Sequence, residues 1–87
     1  MSKLITVDLR GGIKKKIGVS QLNLEEEEIS ISEMISYLEK TYGMNQKHIE
    51  KEIMIVINGV DASVLGGKHA RISSGDIVTL LSVVHGG

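Results

Sequence analysis

Ser30-Ile31-Ser32-Glu33-Met34-Ile35-Ser36-Tyr37-Leu38-Glu39-Lys40-Thr41-Tyr42-Gly43 carries a full set of helix signals. Ser30-x-x-Glu33 fits a capping box, in which the Ser hydroxyl and the Glu carboxylate each take up one orphan backbone N–H of the first turn. Ile29 before the cap and Met34 four residues into the helix fit a hydrophobic staple. Ile31, Met34, Ile35, Leu38 and Tyr42 recur at helical spacing and form one apolar stripe. Gly43 stands where a left-handed residue closes such a helix. The spacing predicts a helix over 31–42, the one well-marked helix of the chain. It can cover only one face of whatever sheet its neighbours build.

Strand signals flank it on both sides. From Lys3 to Arg10, Ile5, Val7 and Leu9 alternate with Leu4, Thr6 and Asp8, a period of two rich in β-branched residues. Gly11-Gly12 reads as a hairpin turn. A second strand is then expected from Ile13 to Val19, with Ile13, Lys15, Ile17 and Val19 on one side and Lys14 and Lys16 on the other, as suits an edge. Residues 44–52 are polar and fit either a helical turn or a loop. Ile53-Met54-Ile55-Val56-Ile57 is apolar on both faces, the mark of an interior strand. Asn58-Gly59 is a strong hairpin dipeptide and leads into a short strand at Val60–Ala62. A loop with Leu65-Gly66-Gly67 and a turn at Gly75-Asp76 precede the last strand, Ile77 to Val84, again apolar on both sides.

Composition bounds the rest. The 87 residues make one domain, 1–87, near the small end of what folds alone. There is no Phe, Trp or Cys and only Tyr37 and Tyr42 are aromatic, so the core must be aliphatic. A disulfide framework, a thiol nucleophile and a cysteine zinc site are excluded. The net charge of −1 gives no general attraction to nucleic acid, and no apolar run approaches the 18 or so residues that span a bilayer. Leu4 already opens a strand pattern, with no signal peptide before it. The expectation is a cytoplasmic protein without direct nucleic-acid or membrane binding. Lys14-Lys15-Lys16 and Glu25-Glu26-Glu27-Glu28 read as solvated segments, the second placed near the positive end of the helix dipole.

The element order β-β-α-β-β-β, with one helix over a mixed four- to five-stranded sheet, is an α+β, β-grasp (ubiquitin-like) architecture. Its last strand runs straight into His85-Gly86-Gly87. At ordinary glycine usage a diglycine at two given positions arises by chance in roughly one chain in two hundred. Without side-chain bulk, such a tail can lie extended in a narrow channel and leave its terminal carbonyl carbon open to attack. Those are the demands on a C-terminus that is itself activated.

Val56-Ile57-Asn58-Gly59, Leu65-Gly66-Gly67, Gly75-Asp76, the apolar final strand and Gly86-Gly87 together resemble the MoaD/ThiS group of ubiquitin-like sulfur carriers. That group includes the molybdopterin-synthase small subunit, the thiamine-pathway carrier, the ubiquitin-related modifier and the small archaeal modifiers. The motifs cover residues 53–87; residues 1–52 match by pattern alone. The ending His85-Gly86-Gly87 is more similar to the ubiquitin-related modifier and archaeal branches than to bacterial molybdopterin-synthase subunits. Those usually carry a proline before the tail, and this chain has none.

The resemblance implies that the protein is a carrier and not an enzyme. It binds no cofactor of its own, while an E1-like partner uses ATP and Mg2+ to adenylate the Gly87 carboxylate. A sulfur donor would then make a thiocarboxylate for molybdopterin, thiamine or tRNA thiolation. The recipient would be a molybdopterin-synthase large subunit or a tRNA thiolase, and in some relatives the activated tail joins target-protein lysines. Gly86 and His85 would lie in the channel of the activating enzyme.

Two apolar strand sets compete for the helix. One holds Met54, Val56, Val78, Leu80 and Val84, the other Ile53, Ile55, Ile57, Ile77, Leu81 and Val83. The set left uncovered is expected to be a partner surface, and the first set is assigned that role, unless the loop at 63–74 folds back over it. His48, His69 and His85 lack metal-ligand spacing, so no metal is expected. Gly66-Gly67-Lys68 lacks the first glycine and the Ser/Thr of a phosphate loop and reads as a tight turn. The rival to a reactive tail is a β-grasp interaction domain whose diglycine end is inert.

Overall fold

The computed structural model describes residues 4–44 and 51–82. The elements run β1 (Ile5–Arg10), α1 (Gly12–Ile17), β2 (Gln21–Leu24), β3 (Glu28–Ser30), α2 (Ile31–Tyr42), β4 (Ile53–Ile57), β5 (Val60–Asp61), two short 3-10 turns (Ala62–Leu65 and Gly67–His69), β6 (Arg71–Ser73) and β7 (Ile77–Ser82). Five strands form one mixed sheet in the order β2-β1-β7-β4-β5, and β3 pairs with β6 in a small second sheet. β1 and β7 run parallel at the centre; the other neighbours are antiparallel. This is the β-grasp arrangement, with the last strand between the first and β4.

α2 occupies the predicted residues. Ser30 Oγ accepts from Glu33 N–H at 3.1 Å and Glu33 Oε1 accepts from Ser30 N–H at 3.0 Å. Gly43 closes the helix at φ 67°. Ile31, Met34, Ile35 and Leu38 are buried, and Tyr42 packs against the same core from its margin. Ile29 and Met34, the residues of the expected staple, both lie in that core.

The sheet gives the core Ile5, Val7 and Leu9 of β1, Leu24 of β2, Ile53 and Ile57 of β4, and Val78 and Leu80 of β7. Burying each such side chain contributes about 1.5–3 kcal/mol. No described polar side chain is buried, so the interior is purely aliphatic. Of the polar stretch 44–52, Met44 is buried and joins the core; residues 45–50 lie outside the described residues.

Three parts of the fold differ from expectation. The strand expected over Ile13–Val19 is the helix α1, and the strand comes later, at Gln21–Leu24. Ile13 is buried and Ile17 packs at the core margin, while Lys14, Lys15 and Lys16 are exposed. A separation of four residues satisfies both a period of two and a helical turn, so the isoleucines alone did not discriminate. Lysine favours helix over strand, and three lysines near the C-terminal end suit the helix dipole. Gly11-Gly12 is accordingly a strand-to-helix junction and not a hairpin.

The β3–β6 sheet has only three residues a side, with Ile29 facing Ile72 across it, and both isoleucines are buried. The strand at Val60 stops at Asp61, and Ala62 opens a 3-10 turn that the Asp61 side chain caps through Ser63 N–H at 2.8 Å.

Candidate functional site

The strand that leads to the diglycine is the central one of the five-stranded sheet. β7 is hydrogen-bonded to β1 on one side and β4 on the other. Its last described residue, Ser82, pairs with Ile53 and lies against the β1–α1 junction. A Cβ on Gly11 would stand 2.9 Å from the Ser82 carbonyl oxygen and 3.2 Å from its Cβ. Gly11 also sits at φ 76°, where side chains are strained. Glycine at position 11 therefore lets α1 close against the end of β7. Val84, His85, Gly86 and Gly87 follow Ser82 and lie outside the described residues, as do Val83 and His48.

Register decides which strand residues share a face. Ile55 stands opposite Leu80 and Ile57 opposite Val78, while Met54 faces Leu81 and Val56 faces Thr79. The expected partner surface thus splits. Val78 and Leu80 are fully buried beneath α2 and cannot meet a partner. Met54, at 43% exposure, and the half-buried Val56 lie on the open face. Their neighbours there are Ile77, 52% exposed, and Leu81, members of the set that had been assigned to the other side. β4 and β7 are apolar on both faces, so alternation within each strand could not reveal how the two are registered.

The open face is a mixed surface. Thr6, Asp8 and Arg10 of β1 stand beside Ile77, Thr79 and Leu81. Arg10 is tied to Asp8 by two hydrogen bonds of 3.0 and 3.1 Å. The segment after β5 does not cover this face: it turns inward and gives Ala62, Ala70 and Ile72 to the core.

The motifs Asn58-Gly59 and Gly75-Asp76 prove to be one structural unit. Asn58 takes φ 50° and Gly59 φ 85°, the left-handed pair of a tight hairpin. Asn58 Nδ2 donates to Asp76 Oδ1 at 3.0 Å, and Asn58 Oδ1 accepts from Ile77 N–H at 2.9 Å. Asp76 Oδ2 accepts from Ser73 N–H at 2.8 Å. The two turns brace the start of β7. Sequence reading saw two turns but had no local signal that they touch.

Two exposed carboxyls are held below their usual range. Glu33 is lowered by the backbone and side-chain hydrogen bonds of Ser30, with Arg71 adding a smaller attraction. Asp61 is lowered by its hydrogen bonds to Ser63. Both act as caps. Among the described residues no group of His, Asp or Glu could hold a metal ion, and His69 is exposed. Gly66 and Gly67 have φ of 112° and 60°, a tight turn. Among the described residues no helix is long and apolar enough to cross a membrane.

The fold, the open mixed face and a central strand followed in sequence by a diglycine are those of a ubiquitin-like carrier or modifier. Family and structural comparisons agree. The family model Urm1 (Ubiquitin related modifier) matches residues 4–87. The solution structure of Urm1 from Trypanosoma brucei is similar at TM-score 0.78 and 23% identity, covering 99% of this chain and 97% of that one. The small archaeal modifier protein 1 of Methanosarcina acetivorans is similar at TM-score 0.72 and 23% identity, with 100% and 99% covered. A chain of the Amycolatopsis orientalis BexX/CysO complex is similar at TM-score 0.73 and 21% identity, with 95% and 99% covered. A search of the curated protein sequences gives no match. The chain belongs to the ubiquitin-related modifier family, and with it to the ubiquitin-like sulfur carriers and protein modifiers.

Proposed function

We propose that Gly87 is the reactive residue and that its carboxylate is free in the active protein. An E1-like enzyme holding ATP and Mg2+ transfers AMP to that carboxylate and releases pyrophosphate. A sulfide equivalent from a sulfur donor then attacks the acyl carbon, and AMP leaves with the electron pair of the broken C–O bond. The product is a thiocarboxylate that gives its sulfur to a small molecule or a tRNA uridine. The acyl-adenylate can also be taken by a target-protein lysine.

The observation that carries this reading is the placement of β7. A strand paired on both sides brings the chain to Ser82, and the length left to the tail is residues 83–87. Glycine at 86 and 87 lets that length enter a channel, with His85 at its mouth. The domain supplies a rigid base and a docking face, here Met54, Val56, Ile77 and Leu81; the chemistry is the enzyme's. A synthase large subunit would use the same face, in which case the protein acts as the small subunit. A cytoplasmic location, with ATP at hand, agrees with this reaction.

The test is co-purification of the E1-like enzyme with wild-type protein and with Met54→Asp and Val56→Asp. Loss of the enzyme from folded variants supports the docking face, and full retention in both contradicts it.

A further inference from the structure

The sheet has two edges, and they are not equivalent. β5 has two residues and gives way at once to a capped 3-10 turn. β2 has four residues, Gln21-Leu22-Asn23-Leu24, and among the described residues no strand covers its outer side. Its hydrogen-bonding phase is fixed by Leu9 N–H donating to Ser20 O at 2.8 Å, one step beyond the pairing of Asp8 with Gln21. Ser20, Leu22 and Leu24 therefore address β1, and the N–H and C=O groups of Gln21 and Asn23 point away from the sheet. Protein edges are commonly blunted by lysine, proline or a bulge. β2 has no lysine or proline, and its pairing with β1 runs without a bulge.

Beside this edge runs a groove of about 550 Å³ between β2 and α2. Leu4, Leu24, Ile29 and Tyr37 give it an apolar lining, and Glu25, Glu26 and Glu33 stand around it. Glu33 has Arg71 at 3.7 Å, but Glu25 and Glu26 have no cationic partner among the described residues. The acidic run thus does more than precede a helix: two of its members border an apolar slot next to unpaired strand groups.

We infer that the β2 edge and this groove bind an extended peptide segment of a partner protein, with aliphatic side chains flanked by lysine or arginine. The segment adds a strand to β2 through Gln21 and Asn23. Its alternate side chains enter the groove, and its basic residues meet Glu25 and Glu26. Main-chain bonds supply register and the groove supplies selectivity. The site lies at the sheet margin, and its use does not depend on the fate of Gly87.

The probe is a synthetic acetylated and amidated peptide, KKVIVLKK, titrated into 15N-labelled full-length protein, with EEVIVLEE as control. Shift changes centred on Gln21, Asn23, Glu25 and Tyr37, with slowed amide exchange at Gln21 and Asn23, are expected for the basic peptide and not for the acidic one. Glu25→Lys/Glu26→Lys changes two exposed positions, and its dispersed spectrum checks the fold. It should weaken binding by about fivefold to tenfold or more, and added salt should do likewise. The inference is overturned by no response at about 1 mM peptide, by equal binding of both peptides, by undiminished binding to the folded double variant, or by shifts confined to Met54 and Leu81. Concentration-dependent shifts at the same amides without peptide would also overturn it, because a second copy of the chain would then be the occupant.

Discussion

Asn58 and the Ser30–Glu33 pair show how single side chains set this fold. Asn58 combines a left-handed backbone with two side-chain bonds to the β6–β7 turn. Asn58→Gly keeps the backbone freedom and loses the bonds; Asn58→Ala loses both. With hydrogen bonds worth about 0.5–1.5 kcal/mol each net, both variants should melt lower, and the alanine variant lowest. Equal melting of wild type and Asn58→Gly would mean that the bridge contributes nothing. Ser30→Ala should cost about 0.5–2 kcal/mol through the lost cap. Glu33 and Asp61 titrate below the usual carboxylate range when folded. Their contribution is therefore present above the unfolded value of about 4 and is lost as pH falls through the lower folded values. Glu33→Gln/Asp61→Asn should flatten the decline of Tm below about pH 4, and a slope identical to wild type would contradict the capping roles.

At the scale of elements, legibility in the sequence followed the range of the signal. α2 declared its start, stripe and end within fourteen residues, Ser30 to Gly43, and each cap is where the local chemistry puts it. β1, β4, the Asn58-Gly59 turn and β7 were readable for the same reason. α1 was not, because Ile13 and Ile17 satisfy two periodicities and six residues are too few to separate them. β3 and β6 exist through the pairing of Ile29 with Ile72, a contact across the chain with no local trace. The pairing of Ile55 with Leu80 likewise decided which half of the expected docking surface is open. Leu38→Ala, a large-to-small change under the sheet, should cost about 2–5 kcal/mol, and an unchanged thermal melt would show that α2 does not cover the core. Leu80→Asp should unfold the domain, whereas Met54→Asp should lower Tm by no more than about 8 °C. The reverse order would invert the assigned faces. Gly11→Ala should strain a backbone at φ 76° and ψ −143°, a region nearly exclusive to glycine, by about 1–3 kcal/mol, and press on Ser82. A variant as stable as wild type would show that the α1–β7 contact relaxes freely.

For the molecule as a whole, the proposed function makes the domain a scaffold that presents a C-terminus. An aliphatic core, braced turns and a central last strand give a small chain a firm base for that role. The chemistry proposed for the tail rests on Gly86-Gly87 and on the element order, because glycine at those positions leaves access to the terminal carbonyl. Intact-mass spectrometry tests this most directly. The protein is incubated with its co-purifying E1-like enzyme, ATP, Mg2+ and a sulfide source, beside a chain extended by one residue after Gly87. The account predicts one oxygen-to-sulfur increment, located by fragmentation at Gly87, in the first sample and none in the second, with equal melting temperatures. An increment in the untrimmed extended chain, or none in the native chain while the enzyme adenylates another carrier, would contradict it.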